Sequence, residues 1–460
     1  MTARVFIYAL GLLCTAVSIR RVRSNRPRQL ILLVASYAFY LSLSGPLVAV
    51  LVASSLANYA LGRRLQRTPS LPWLWLGIVG NIALLGFFKY LPGLASQFAA
   101  QGSLARIVLP VGLSFWTFQA LSYLFDLYRE EELDPTPLEF LLYMAFAPTV
   151  LSGPICRLPE ILPQLRHPRE LTRPDVHAAI QRMWLGMLMI GLAQLLGSGL
   201  RPGHGIDAGF DFATTLGGAD VWLLAIGYGF QLFLDFAGYS HVAIGAALLL
   251  GIRLVENFDL PYLAVSPSIF WTRWHMSLSS WIRDYLFLPL AAMSRRTWWR
   301  HASLVISMIV FGIWHKGSLL FVVWGAYHGL LLVFHRQWQH FQRRLDFRWE
   351  GAAQDSLSWL VTFSVMCLGW IFFRARDLRQ AFGMFQSLLS PVSYQHPALP
   401  MDLYLLTAVL VVGYFAMVRR VKGALPLPFP LGIRYAIYSL ALYLVVFRAA
   451  QPQAFIYTQF

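Results

Sequence analysis

Long apolar runs separated by short arginine clusters set the strongest limit on what this chain can fold into. Residues 5–19, 29–44, 46–62, 72–92 and 107–128 are apolar, and arginines gather at 20–28, at 63–67 and at 129. An uncharged run of roughly 20 residues satisfies its backbone in lipid only as a helix, since hydrocarbon offers no hydrogen-bond partner. Composition points the same way: 57% of the 460 residues are hydrophobic and 13% charged, against roughly 45–50% and about 25% in soluble domains. So few charged side chains cannot cover the surface of two or three soluble domains, and the surplus apolar surface faces lipid.

The arginines then orient the helices. Net charge is +16, and lysine occurs only at 89, 316 and 422. Basic residues are held back on the cytoplasmic face. Charge follows the run at 5–19 rather than preceding it, so this run reads as a retained first span with the N-terminus outside. The hairpin 29–62 returns to Arg63, Arg64 and Arg67, 72–92 cross outward to the uncharged loop 93–105, and 107–128 return to Arg129. Residues 138–155 carry Pro148, Gly153 and Pro154, with arginines following at 157, 166, 169 and 173. A span that must leave and re-enter the same face reads as re-entrant, which requires protein or water to satisfy its backbone.

Residues 177–198 lead out to a loop, 199–218, containing Arg201, Asp207 and Asp211, and 219–251 return to Arg253. Later spans are 302–314, 318–335, 356–373, 402–418 and 432–448. The expectation is about twelve crossings plus re-entrant segments in an all-α polytopic membrane protein. The Arg374, Arg376 and Arg379 cluster breaks the alternation. With no fixed repeat, soluble domain or long linker, residues 1–460 read as one membrane-embedded domain. No basic domain or base-stacking module points to nucleic acid. Cys14, Cys156 and Cys367 form no CxxC and give neither a disulfide framework nor a zinc site.

Polar groups at membrane depth are costly and carry function. The densest stretch is FWTRWHMSLSSWIRDY, residues 270–285. An interfacial belt explains its Trp and Arg residues, but not His275, the serines or the Arg283–Asp284 pair, so it reads as a site wall. His328 lies inside the apolar run 318–334 beside Gly325 and Gly329, which are expected to leave room around the imidazole, and His315 sits at the other end of the same hairpin. Neutral imidazole accepts a proton near pH 7 without a large shift. His241, His275, His315 and His328 show no HxxxH or HExxH spacing, so no metal is expected. Walker, dinucleotide and GxSxG motifs are absent. Asn81, Lys89, Gln119, Asp126, Gln231, Asp235 and Asp259 either pair with neighbouring helices or line a hydrated passage, as in a transporter. No paired halves with matching broken helices support the transporter reading.

These residues carry a pattern. LPVGLSFWTFQALSYLFDLYR at 109–129, SGPICR at 152–157, FQLFLDFAGYS at 230–240 and ENFDLPYLAVSPSIFWTRWHMSLSSWIRDYLFLPL at 256–290 occur in order. The GIWH and WGAYHG elements with His315 and His328, WIFFRA at 370–375 and FIYTQF at 455–460 follow. From about residue 85 to the end, beyond N-terminal spans at 1–84, the chain resembles the membrane-bound O-acyltransferase (MBOAT) superfamily. The likeness is to its bacterial branch, which serves alginate O-acetylation and teichoic-acid D-alanylation. The resemblance implies a funnelled helical bundle with a tunnel joining the two faces, His328 as catalytic residue and His315 as a second candidate. The tunnel is expected to be lined by His275, Arg283, Asp284, Trp274, Trp324 and Asp235. Two positions depart from the family: Lys316 replaces a usual glycine, and His241 replaces a usual Asp after DFxGYS.

The implied activity is transfer of an acyl group, acetyl first, from a cytoplasmic thioester across the inner membrane to a secreted polysaccharide or a periplasmic SGNH-type partner. Acetyl-CoA or an acyl carrier protein is the expected donor, with no bound cofactor. D-alanyl transfer to teichoic acid is the alternative, and a transporter without chemistry a remote one. Part of the basic charge is expected to form a cytoplasmic mouth for an anionic donor.

Overall fold

The computed structural model describes residues 2–97, 107–201, 203–212, 216–344, 351–395 and 397–422, together with 432, 433, 436 and 439. Every regular element among them is helical, with no strand. Six stretches are long and apolar enough to cross a membrane: Asn25–Arg67, Leu71–Ala95, Arg173–Ser198, Gly218–Leu249, Leu319–Arg344 and Ala352–Arg374. The first holds two helices joined by a 3-10 turn at Gly45–Leu47, and a shorter apolar helix covers Met401–Ala416. The expected span at 432–448 lies almost wholly outside the described residues, as does FIYTQF at 455–460. The chain is a multi-pass all-α membrane protein.

Two compact units divide it, Met1–Met183 with Ser240–Glu256, and Trp184–Tyr239 with Asn257–Phe460. The first unit contains α1 (Thr2–Arg21), α2 (Asn25–Ser44), α3 (Val48–Arg67), α4 (Leu71–Leu85), α5 (Leu91–Gln97), α6 (Leu113–Tyr128), α7 (Pro137–Ala145), α8 (Ala147–Val150) and α9 (Leu158–Arg166). The helix expected over 107–128 begins only at Leu113. Gly112 takes φ +75, and a Cβ there would strike the Val150 carbonyl, so the turn before α6 is built for close backbone approach. The segment read as re-entrant is broken into α7 and α8, with Pro148 at the start of the latter. Asn81 exchanges amide hydrogen bonds with Asn58, at 2.7 and 3.1 Å, across α4 and α3.

Ion pairs in this unit join segments that the arginine pattern puts on one face. Arg63 meets Asp134, Arg166 meets Glu139 at 3.0 Å, and Asp175 receives Arg253 at 3.2 Å and Arg169 at 3.6 Å. Positions 63, 134, 166, 169 and 253 were all read as cytoplasmic. Such pairs contribute little stability each when exposed, but they bring together segments that the arginine pattern assigns to one face.

The chain passes between the units within α10 (Arg173–Ser198) and α12 (Gly218–Leu249), which flank α11 (Ile206–Asp211). The matched stretch 256–290, which includes the polar segment 270–285, is a chain of short pieces. These are a 3-10 turn at Pro261–Leu263, α13 (Pro267–Arg273), α14 (Met276–Ile282), a π turn at Arg283–Phe287 and α15 (Leu288–Ala292). Leu260 and His275 interrupt it with φ of 47° and 44°, in a region that L residues adopt only when their surroundings impose it. Then come the hairpin α16 (Thr297–His315) and α17 (Leu319–Arg344), α18 (Ala352–Arg374), α19 (Leu378–Leu389) and α20 (Met401–Lys422). Asp220 ties the segment before α20 to α12, accepting from Ala398 N at 2.9 Å, Leu399 N at 3.0 Å and Tyr404 Oη at 2.7 Å.

The Arg374 cluster breaks the alternation for a visible reason. Arg374 lies 3.4 Å from Asp207, a residue of the loop read as external. Asp377 caps α19 through Gln380 N at 2.8 Å. The charge of Arg374 at least is balanced by a local partner.

Candidate active site

The second unit gathers most of the expected site residues around one aromatic cluster. His328 stands in the middle of α17 and is fully buried. Its ring meets Trp324 at 4.9 Å, Trp271 at 5.2 Å and Tyr327 at 5.2 Å between centroids, all edge-on, and Trp370 at 6.3 Å. Neither His328 nitrogen has a hydrogen-bond partner among the described residues, and neither has the indole N–H of Trp271 or Trp324. Leaving a buried polar group unpaired costs about 1–3 kcal/mol. Four such atoms around one ring mark a place where a polar reactant belongs.

The hairpin glycines act differently from expectation. A Cβ at Gly325 would come 2.7 Å from Ile309 Cα, and one at Gly329 would come 2.8 Å from Val305 Cα. Both therefore admit α16 against α17 rather than clearing the imidazole. The glycine that faces His328 is Gly369 on α18, where a Cβ would lie 2.6 Å from Nε2. Sequence reasoning missed Gly369 and gave Trp370 no role, whereas Trp271 falls in the 270–285 stretch read as a site wall. The WIFFRA match begins at 370, and its preceding glycine was the available signal.

His315 closes α16 and is buried. It contacts Trp324 at 5.5 Å, Phe311 at 4.9 Å and Phe373 at 5.1 Å. Trp324 thus touches both candidate histidines. Trp274 belongs to the same cluster through Trp370, at 4.8 Å, and stacks on Phe270 at 5.5 Å.

His275 is held elsewhere in the unit. Its Nδ1 meets Asn257 Oδ1 at 3.0 Å, the same oxygen accepts from Ser277 Oγ at 2.9 Å, and Met276 N donates to Asn257 O at 2.8 Å. Its ring stands edge-on to Phe236 at 4.6 Å. Asn257 was not singled out from sequence, although its neighbours were. Arg283 and Asp284 pair with each other at 2.6 and 3.1 Å, and the Arg283 side chain is 60% exposed. Asp235 is buried on α12, one residue before Phe236. Among the described residues no cluster of three His, Cys, Asp or Glu could hold a metal. Cys156 and Cys367 are buried and Cys14 is exposed, each as a free thiol.

An unpartnered buried imidazole beside indole donors without acceptors has the chemistry to accept and return a proton. Comparison with known proteins gives the family. The pattern of the membrane-bound O-acyltransferase family matches residues 74–375. The probable alginate O-acetylase AlgI of Pseudomonas aeruginosa is 32% identical over 389 residues, covering 81% of this chain and 71% of that protein. The peptidoglycan O-acetyltransferase of Helicobacter pylori is 30% identical over 402 residues, covering 79% and 75%. The teichoic acid D-alanyltransferase of Streptococcus thermophilus is 35% identical over 244 residues, covering 50% and 57%. The chain belongs to the membrane-bound O-acyltransferase family and is an acyltransferase.

Proposed function

We propose that the protein moves an acetyl group from a cytoplasmic thioester, acetyl-CoA or an acyl carrier protein, to a hydroxyl on the outer side of the bacterial inner membrane. The acceptor is a secreted polysaccharide or a periplasmic SGNH-type protein that acetylates one. The observation that carries this reading is His328: a fully buried imidazole with both nitrogens unpaired, packed against two tryptophan rings whose N–H groups also lack partners.

In the proposed step the unprotonated His328 nitrogen takes the proton of the acceptor hydroxyl as its oxygen attacks the thioester carbonyl carbon. The carbon–sulfur bond breaks as the tetrahedral species collapses, and the thiolate leaves with the proton held by the imidazolium. General base catalysis of this kind contributes roughly 10²–10⁴-fold. Trp271 and Trp324 supply N–H donors for the developing oxyanion, which are effective in a dry site because they need no reorganisation. His315, against the other side of Trp324, is the second candidate for proton handling. Holding donor and acceptor in line supplies the remaining advantage. The Arg283–Asp284 pair borders the proposed donor approach, and Trp274 and Asp235 complete the proposed tunnel wall.

The names of the similar proteins favour acetyl over D-alanyl transfer, since the two acetylases share about four-fifths of this chain and the D-alanyltransferase half. Replacing His328 with Gln in intact cells tests the reading. Loss of acetyl from the secreted polymer, with normal protein in the membrane, is expected; undiminished acetylation would overturn it.

A further inference from the structure

A second polar group in the same unit takes no part in the step above. Gln231 on α12 is buried, and its Nε2 donates to the Asp207 carboxylate at 3.3 and 3.4 Å. Arg374 reaches the same carboxylate at 3.4 Å while its guanidinium lies 5.4 Å from the Phe210 ring. The Gln231 carbonyl oxygen has no hydrogen-bond partner among the described residues. Gly197 makes room for the group, because a Cβ there would clash with Gln231 Nε2 and lie 2.7 Å from Asp207 Oδ2.

Its position is informative. The Asp207 and Arg374 side chains are about one quarter exposed, at 26% and 27%, whereas Gln231 is buried beneath them. The group therefore opens outward and ends inside on an unsatisfied acceptor. Phe373 precedes Arg374 in the chain and contacts His315 at 5.1 Å and Trp324 at 5.4 Å. Arg374 is thus one residue along α18 from a ring that touches both His315 and Trp324. The loop carrying Asp207 falls on the outer face in the arginine reading, the side from which an acceptor arrives.

The chemistry selects the ligand. A free amide oxygen needs a donor, and the Asp207–Arg374 pair beside it offers both an acceptor and a donor. Neighbouring hydroxyls of a sugar ring, each both donor and acceptor, match that set. Because Asp207 balances the charge of Arg374, the group presents no net attraction for an acidic sugar.

We propose that Gln231, Asp207 and Arg374 form an acceptor subsite that binds an uncharged glycosyl unit by its hydroxyls. The subsite rests on the acyl-transfer reading, but its binding can be measured apart from it. The purified full-length protein would be titrated with a neutral glucan oligosaccharide, a uronate oligosaccharide of equal length and a serine-containing peptide. Binding is expected to follow the neutral glycan. Gln231→Leu should weaken its Kd about tenfold, equivalent to about 1.4 kcal/mol, and Gln231→Asn should recover part of that loss. Asp207→Asn, by freeing the Arg374 charge, should shift preference toward the uronate.

In turnover with acetyl-CoA the same variants should raise the acceptor KM far more than they lower kcat, a split that a folding defect would not produce. Equal affinity of wild type and Gln231→Leu for the neutral glycan would overturn the subsite, as would a wild-type preference for the uronate or the peptide. If wild type binds the neutral glycan but transfers no acyl group to any hydroxyl, the subsite survives and the acyl-transfer reading fails.

Discussion

His275 and His328 are both fully buried histidines in the same unit, yet one is tied down and the other is not. Around His275 a single Asn257 oxygen gathers the imidazole and the Ser277 hydroxyl, while the Asn257 carbonyl holds the next backbone N–H. Around His328, among the described residues, stand ring edges, a glycine and unpaired N–H groups. Residue type and burial do not separate these histidines, but the bond at Nδ1 does: His275 meets Asn257 there, whereas neither nitrogen of His328 has a partner among the described residues. A satisfied buried network fixes a structure, whereas an unsatisfied one is retained at a cost where chemistry requires it.

The sharpest way to break this contrast is to remove each function in turn. His328→Gln should lower acetyl transfer by about 10²–10⁴-fold, measured as acetyl released from secreted polymer. Gly369→Ala brings a methyl group to within 2.6 Å of His328 Nε2. It should cost about 10²-fold in rate through displacement of the ring, with a thermal midpoint near wild type. Gly329→Ala meets Val305 on α16 instead, so its main effect should be a lower midpoint; equal rate losses in the two glycine variants would erase the distinction drawn between them.

A gentler test falls on the other histidine. Asn257→Ala strands His275 and Ser277 and should destabilise by about 2–3 kcal/mol, read as a lower melting midpoint in detergent. Surviving protein should keep much of its transfer rate. The smallest expected effect is ionic. If the arginine clusters draw an anionic donor, raising salt should increase the donor KM a few-fold by screening, and a salt-independent KM would leave the arginines a purely topological role.

Much of this was legible in the sequence because lipid enforces simple rules. Apolar length gave the helices, the arginine clusters gave an orientation that the Arg63–Asp134 and Arg253–Asp175 pairs respect, and the mixed composition of 270–285 signalled a segment that is not a span. His328 stood out as an imidazole inside an apolar run. What stayed hidden depends on which helix faces which. Gly325 and Gly329 flank His328 in sequence but turn toward α16, while the glycine against its ring lies 41 positions away on α18. The partner of Arg374 is 167 residues distant, so its cluster could only look like an exception. Asn257 went unnoticed because an asparagine before an apolar segment has no spacing that reveals three bonds to residues 18 to 20 positions on.

The central claim is that His328 is kept unsatisfied for catalysis. His328→Leu tests it most directly, since leucine is close to imidazole in volume and carries neither nitrogen. The account predicts a protein without acetyl transfer whose melting midpoint equals or exceeds that of wild type, because two unpaired polar atoms have been removed from the core. A variant that keeps its activity, or one that loses activity only together with a sharply lowered midpoint, would contradict it.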